Sequence, residues 1–211
     1  MPFIEIVGIT KSFGTKTVFK DFSLSIERGE MVAIIGDSGR GKTTLLNMIG
    51  LLEKCDSGKI IIDGRENIVP NSRIAGKLLR ETISYLFQSF ALVEDETVIY
   101  NLLLALKYTH HSKAENAENI KSVLEFVGLQ EYENRKIFQL SGGEQQRVAI
   151  ARIMLKPCEI ILADEPTGSL DNNNREVIMH MLYDLNMHGK TIVIVTHDPY
   201  VAEKCNRQIK I

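Results

Sequence analysis

One stretch limits the possible fold more than any other. The apolar run "EMVAIIG" (residues 30–36) stops at "GDSGRGKTT" (residues 36–44), and that loop opens onto "KTTLLNMIGLL", whose apolar residues recur at helical spacing. A strand apolar on both faces predicts a place inside a sheet covered on both sides. The loop that follows it predicts a tight turn into a helix start. Gly36, Gly39 and Gly41 let the backbone turn and aim its N–H groups inward, while Asp37, Ser38, Arg40 and Thr44 complete the cradle. Lys42 can reach a β- or γ-phosphate, and Thr43 offers a hydroxyl to Mg²⁺. Arg40, in a variable position, is free to point outward.

The rest of the chain alternates in the same manner. "EIVGIT" and "FSLSI" read as strands of an N-terminal antiparallel part, and "KIIIDG" and "TISYLFQ" as further strands. From about residue 89 to 138 the pattern reads as helical throughout. "CEIILADEP" and "KTIVIVTHD" are β-branched runs ending in polar residues, separated by the helical "NNREVIMHMLYDLNMHG". Polar residues where buried strands end place a ligand at the carboxyl edge of an α/β sheet.

Two further segments carry chemistry. In "IILADE" a buried strand ends on Asp164, placed to hold Mg²⁺, and Glu165 follows, a second carboxylate suited to activating water. In "LSGGEQQR" Ser141 is a good N-cap and Glu144 completes a capping box, so the segment reads first as a well-started helix. Gly142 and Gly143 also leave the positive end of that helix open to an anion, at a cost in helix propensity of about 1 kcal/mol each. Both readings stand at this point.

Composition narrows the class. A net charge of -2 lacks the basic excess of a dedicated nucleic-acid binder, so no nucleic acid is expected. The cysteines Cys55, Cys158 and Cys205 form no CxxC pair and predict free thiols in a cytoplasmic protein. The N-terminus shows no basic-then-apolar signal pattern, and "VIYNLLLAL" (residues 98–106) is far shorter than the ~20 residues a spanning helix needs. A membrane role is therefore expected to be peripheral, on the inner face.

"GDSGRGKTT", "LSGGEQQR", "IILADEPTGSLD" and "THD", in this order and spacing, resemble the ATP-binding cassette (ABC) ATPases over essentially all 211 residues. The resemblance implies an α/β phosphate-loop NTPase core at residues 1–88 and about 139–211, with an N-terminal antiparallel β part and an inserted helical subdomain at about 89–138. It implies ATP and Mg²⁺ as ligands, and a head-to-tail homodimer in which Ser141, Gly142, Gly143 and Glu144 contact the nucleotide of the other copy. It makes Gln88 a sensor of Mg²⁺ and the attacking water, Asp171 an interface residue, His197 a γ-phosphate contact and Phe13 an aromatic stacked on adenine. Tyrosine is commoner than phenylalanine at that last position.

"LADEPTGSLD", "FQSF" and a chain that stops at "NRQIKI" look like the lipoprotein-releasing and macrolide-exporting branch, and "ALVEDETVIYNLLLAL" resembles more loosely a set linked to bacteriocin export or immunity. The expected partner is a separate transmembrane permease, docked in part on residues 98–106, which otherwise read as core. The alternative is a soluble ABC ATPase acting on ribosomes or DNA. A non-enzymatic nucleotide-gated module conflicts with intact Glu165 and His197.

Overall fold

The computed structural model describes every residue except Met1, Asn67 and His110. Its central sheet is wholly parallel. β3 (Met31–Ile35), β5 (Ile83–Leu86), β6 (Ile160–Asp164), β7 (Thr191–Val195) and β8 (Arg207–Lys210) lie in the order β5-β6-β7-β3-β8. A second, antiparallel sheet has β1 (Ile4–Phe13) between β2 (Lys16–Ile26) and β4 (Ser57–Ile62). "KIIIDG" thus joins the N-terminal strands.

The period of two in the central strands builds two cores at once. Val32, Ile34, Ile160, Leu162, Val193 and Val195 face the antiparallel sheet, α1 (Lys42–Ile49) and α2 (Arg73–Glu81). Their neighbours Met31, Ile161, Ala163, Ile192 and Ile194 face α3 (Val98–Leu106), α4 (Lys113–Phe126), α5 (Gly142–Met154) and α6 (Asn172–Met187). Each fully buried Ile or Val contributes about 1.5–3 kcal/mol, so the sheet is held from both faces. Register then sets the site. Ile34 and Asp164 both pair with Val195, so Gly36, Glu165 and Thr196 leave three adjacent strands at nearly one level.

The helical reading of residues 89–138 needs correction. Only α3, α4 and a 3-10 turn (Ile137–Gln139) are helical there; 87–97 and 127–136 are loops, and His110 lies outside the described residues. No proline and one glycine, Gly128, interrupt that stretch, so the usual breakers are missing. Side chains make the breaks instead. Thr97 caps α3, and buried Asn101 accepts from Val93 N at 2.8 Å and donates to Val93 O and Thr97 O at 3.2 and 3.0 Å.

Three elements escape the sequence patterns: α2, α7 (Pro199–Glu203) and β8. Their signals are short: Ser72 and Asp198 as N-caps, with Pro199 opening α7. All three cysteines are free. Among the described residues no helix is long and apolar enough to cross a membrane.

Candidate functional site

The cleft at the sheet's carboxyl edge is lined by Phe13, Lys16 and Val18 from the antiparallel sheet, by Ser38, Gly39 and Gly41–Thr44, and by Glu165 and Val195. It encloses about 390 Å³. Glycine is required at two loop positions. A Cβ on Gly41 (φ 96°) would stand 2.2 Å from Val18 Cγ1, and one on Gly36 would stand 2.5 Å from the carbonyl oxygen of Ile211. Lys42 Nζ donates to the carbonyls of Gly36 and Asp37 at 2.8 and 3.1 Å, so the loop curls around its own ammonium. Arg40 points outward, 3.8 Å from Asp37. Phe13 is half exposed at the cleft mouth, with Lys11 Nζ 4.8 Å from its ring centre.

Hard oxygen donors converge beneath the loop. Thr43 Oγ1 donates to Asp164 Oδ1 at 3.2 Å. Burial pushes the Asp164 carboxyl above its usual range; the Thr43 hydroxyl opposes this, the Glu165 carboxylate adds to it, and Lys42 opposes. A carboxylate kept from full hydration beside a hydroxyl fits Mg²⁺, which binds through few protein oxygens and takes the rest from phosphates and water. Among the described residues no group of three or more His, Cys, Asp or Glu could hold a metal alone. Thr43 and Asp164 suit a metal delivered with its nucleotide.

Glu165 sits in the left-handed region (φ 45°), a strained backbone for a non-glycine residue. Its amide donates to Val195 O at 2.9 Å, and Gln146 Nε2 holds the next carbonyl, that of Pro166, at 2.7 Å. The carboxylate pairs with His197 Nδ1 at 2.7 Å and accepts from Thr196 Oγ1 at 3.1 Å. The His197 ring is otherwise largely exposed. Gln88 lies nearby. A Cβ on Gly168 would stand 3.9 Å from Gln88 Nε2 and 3.5 Å from Glu165 Cβ, so the two side chains flank Gly168.

Asp164 and His197 join the cleft through hydrogen bonds to Thr43 and Glu165, whereas among the described residues no hydrogen bond joins Ser141, Gly142 or Gly143 to a residue lining it. The capping box at Ser141 is complete. Ser141 N and Oγ each donate to Glu144 Oε2 at 2.7 Å, and Tyr132 Oη donates to Oε1 at 3.0 Å. Burial opposes ionisation of Glu144, but these hydrogen bonds prevail and hold its carboxyl below the usual range. Gly142 is exposed and has ordinary room for a Cβ. Gly143 is buried, and its Cβ would fall 2.4 Å from Asn174 Oδ1. Asn174 in turn donates to Asp171 Oδ2 at 2.7 Å and accepts from Arg147 at 3.2 Å.

The profile of a family described as "ABC transporter" matches residues 19–168. The chain belongs to the ABC transporter family. Its relatives include "Macrolide export ATP-binding/permease protein MacB" of Shewanella sp. (strain ANA-3), 42% identical over 214 residues, covering 100% of this chain and 33% of that protein. MacB of Aggregatibacter actinomycetemcomitans is 42% identical over 215 residues, again 100% of this chain and 33% of the relative. The chain thus spans about a third of the length of these relatives. Among solved structures, the dimeric MJ0796, described as a bacterial ABC transporter cassette, aligns with TM-score 0.89 and 39% identity over 99% of this chain and 94% of that one. A post-hydrolysis dimer of MJ0796 bound to ADP and Pi aligns with TM-score 0.87 at 38% identity, with the same coverage.

Four positions of this ABC cassette are missing from the sequence reading: Lys16 and Val18 in the cleft, Thr196 on Glu165, and Asn174 between Gly143 and Asp171. Of these only the threonine of "VTHD" has a readable signal, as a polar residue ending an apolar strand. Asn174 yields a prediction. Gly143→Ala is expected to push Asn174 off Asp171 and Arg147, leaving the fold intact but weakening ATP-dependent dimerisation. Size-exclusion chromatography with Mg-ATP checks it; unchanged dimerisation removes Asn174 from that role.

Proposed function

We propose that this cassette binds Mg-ATP in the loop cleft, closes head to tail with a second copy, hydrolyses ATP and drives a membrane permease that exports its substrate. One observation carries the reading. Lys42, Thr43, Asp164, Glu165 and His197 gather at one sheet edge, linked by Thr43–Asp164 and Glu165–His197 hydrogen bonds, while the Ser141 helix start, similarly suited to an anion, bonds to Glu144 of its own helix and to none of them. One copy therefore holds two halves of two different sites. The dimeric state of MJ0796 and its ADP–Pi complex support the pairing and the hydrolysis.

In the proposed reaction Lys42 and the loop N–H groups bind the phosphates, and Phe13 covers the base. Thr43 and Asp164 would hold Mg²⁺, which would supply neutralisation of the phosphate charge. Glu165 accepts a proton from the attacking water, and His197 and Thr196 fix its carboxylate orientation. Gln88 monitors the same region from the end of β5.

The proposed subdivision is a core of residues 1–88 and about 139–211, with 89–138 as the helical subdomain. Permease contact is assigned to the outer face of α3. Val98, Leu102 and Leu106 are buried, one helical turn apart, whereas Tyr100, Leu103 and Leu104 are 43%, 45% and 41% exposed. The relatives' description as macrolide export ATP-binding/permease proteins supports a membrane partner and an exporting direction.

Lys42→Ala tests the cleft. Losing the charged donor should weaken ATP binding roughly 10- to 100-fold, since a charged hydrogen bond contributes about 1.5–3 kcal/mol. Calorimetry measures this, and unchanged affinity would place the nucleotide elsewhere.

A further inference from the structure

α5 carries more than the Ser141 helix start. Near its far end Arg152 turns a part-buried guanidinium toward the turn that follows Gln88, donating through Nη1 to Ala91 O at 2.6 Å and through Nη2 to Phe90 O at 3.0 Å. Phe90 and Ala91 are consecutive non-glycine residues in the left-handed region (φ 61° and 49°), and Ala91 N closes a tight turn on Ser89 O at 2.6 Å. Such a pair persists only where its surroundings impose it. Among the described residues no carboxylate pairs with Arg152, and burial lowers its basicity. A desolvated cation is costly without compensating hydrogen bonds. Both of its bonds to this turn go to the carbonyls of the strained pair. The turn also meets α5 at the other end: Phe90 Cζ lies 3.8 Å from where Gly142 would carry a Cβ.

We propose that Arg152 is a positioning residue that fastens the Gln88–Ala91 turn along α5, so that this glutamine and the helix start offered to a second copy move as one body. The inference rests on the ATPase reading above and deepens it. A change at Gln88, beside one nucleotide, is transmitted along α5 to Ser141 and Gly142, which serve the other. Inside one copy the guanidinium fork and the Phe90 ring link the two.

Arg152→Lys is the test, because it keeps the charge but replaces the planar fork that spans two carbonyls. Turnover should fall at least about tenfold, as misplacement by an ångström can cost more than that, while KM for ATP moves less than about threefold. The chain has no tryptophan, so Phe90→Trp provides a single fluorophore on the turn. In nucleotide-free protein, adding Arg152→Lys should shift its emission to the red and increase acrylamide quenching. Leu92→Trp serves as reporter if position 90 rejects the larger ring. Adding Ala91→Gly, which removes the left-handed penalty at that residue, should return part of the turnover lost in Arg152→Lys.

Turnover within about twofold of the unsubstituted chain overturns the proposal, given the loss that misplacement predicts. So does lost turnover with unchanged emission, or no gain from Ala91→Gly. If the unsubstituted chain hydrolyses no ATP, the ATPase reading fails instead, and the nucleotide-free emission still decides whether Arg152 holds the turn.

Discussion

Glu165→Gln is expected to retain ATP binding, lose roughly 10²–10⁴-fold in turnover, and accumulate as an ATP-bound dimer. The amide keeps the shape of the carboxylate and still accepts a hydrogen bond from Thr196 Oγ1, so the strained turn at Glu165 should hold its course. It cannot take a proton from water. It also changes the partner offered to His197 Nδ1, now 2.7 Å from a carboxylate oxygen, and so disturbs the ring's tautomer as well. Phosphate release at saturating Mg-ATP measures the loss, and size-exclusion chromatography measures the dimer. Hydrolysis near the unsubstituted rate would take Glu165 out of the base's role.

Much of this site is legible in the sequence because its parts are local. The phosphate loop is one continuous stretch whose glycines, lysine and threonine have fixed offsets, and the structure folds it as that spacing requires. Asp164 and His197 can be placed because each ends or follows an apolar strand, and buried parallel strands deliver their last residues to one edge. What stays hidden depends on contacts between distant segments. Lys16 and Val18 reach the cleft only because the antiparallel sheet folds over Gly41. Arg152 is one more cation in a helical pattern until the 87–97 loop arrives beneath it, 61 and 62 residues away in sequence. The same loop defeats the helical reading, since a buried asparagine and a threonine cap leave no trace in apolar periodicity.

The two glycines after Ser141 separate local from distant causes most clearly. From sequence both suggest a backbone kept bare for an approaching anion. In the structure Gly143 is bare because Asn174 of the same chain occupies the space, while Gly142 is exposed with room to spare. One glycine answers to the chain's own packing. The other, with Ser141, is what the proposed head-to-tail pairing offers to a second copy.

That division shapes the decisive experiment on the pairing. Ser141→Arg should leave ATP binding to the single cassette nearly intact, because Lys42 and Thr43 lie in the cleft and Ser141 does not. It should nevertheless abolish ATP-driven dimerisation and hydrolysis, since a long cation replaces the small cap at the face offered to the other copy. Losing the Ser141 cap costs about 1 kcal/mol, and Glu144 and Tyr132 still tie the first turn, so the helix should survive. A mixed dimer sharpens the inference. Pairing Ser141→Arg with Lys42→Ala in a head-to-tail arrangement puts both defects into one composite site and leaves the other site unaltered. Activity should then reappear in the mixture although neither variant has it alone, provided one intact site can turn over by itself. The single variant decides the matter: a Ser141→Arg cassette that dimerises with Mg-ATP and hydrolyses it normally would reduce the helix start to a cap, and two half-sites in one chain would no longer explain why it lies outside the cleft.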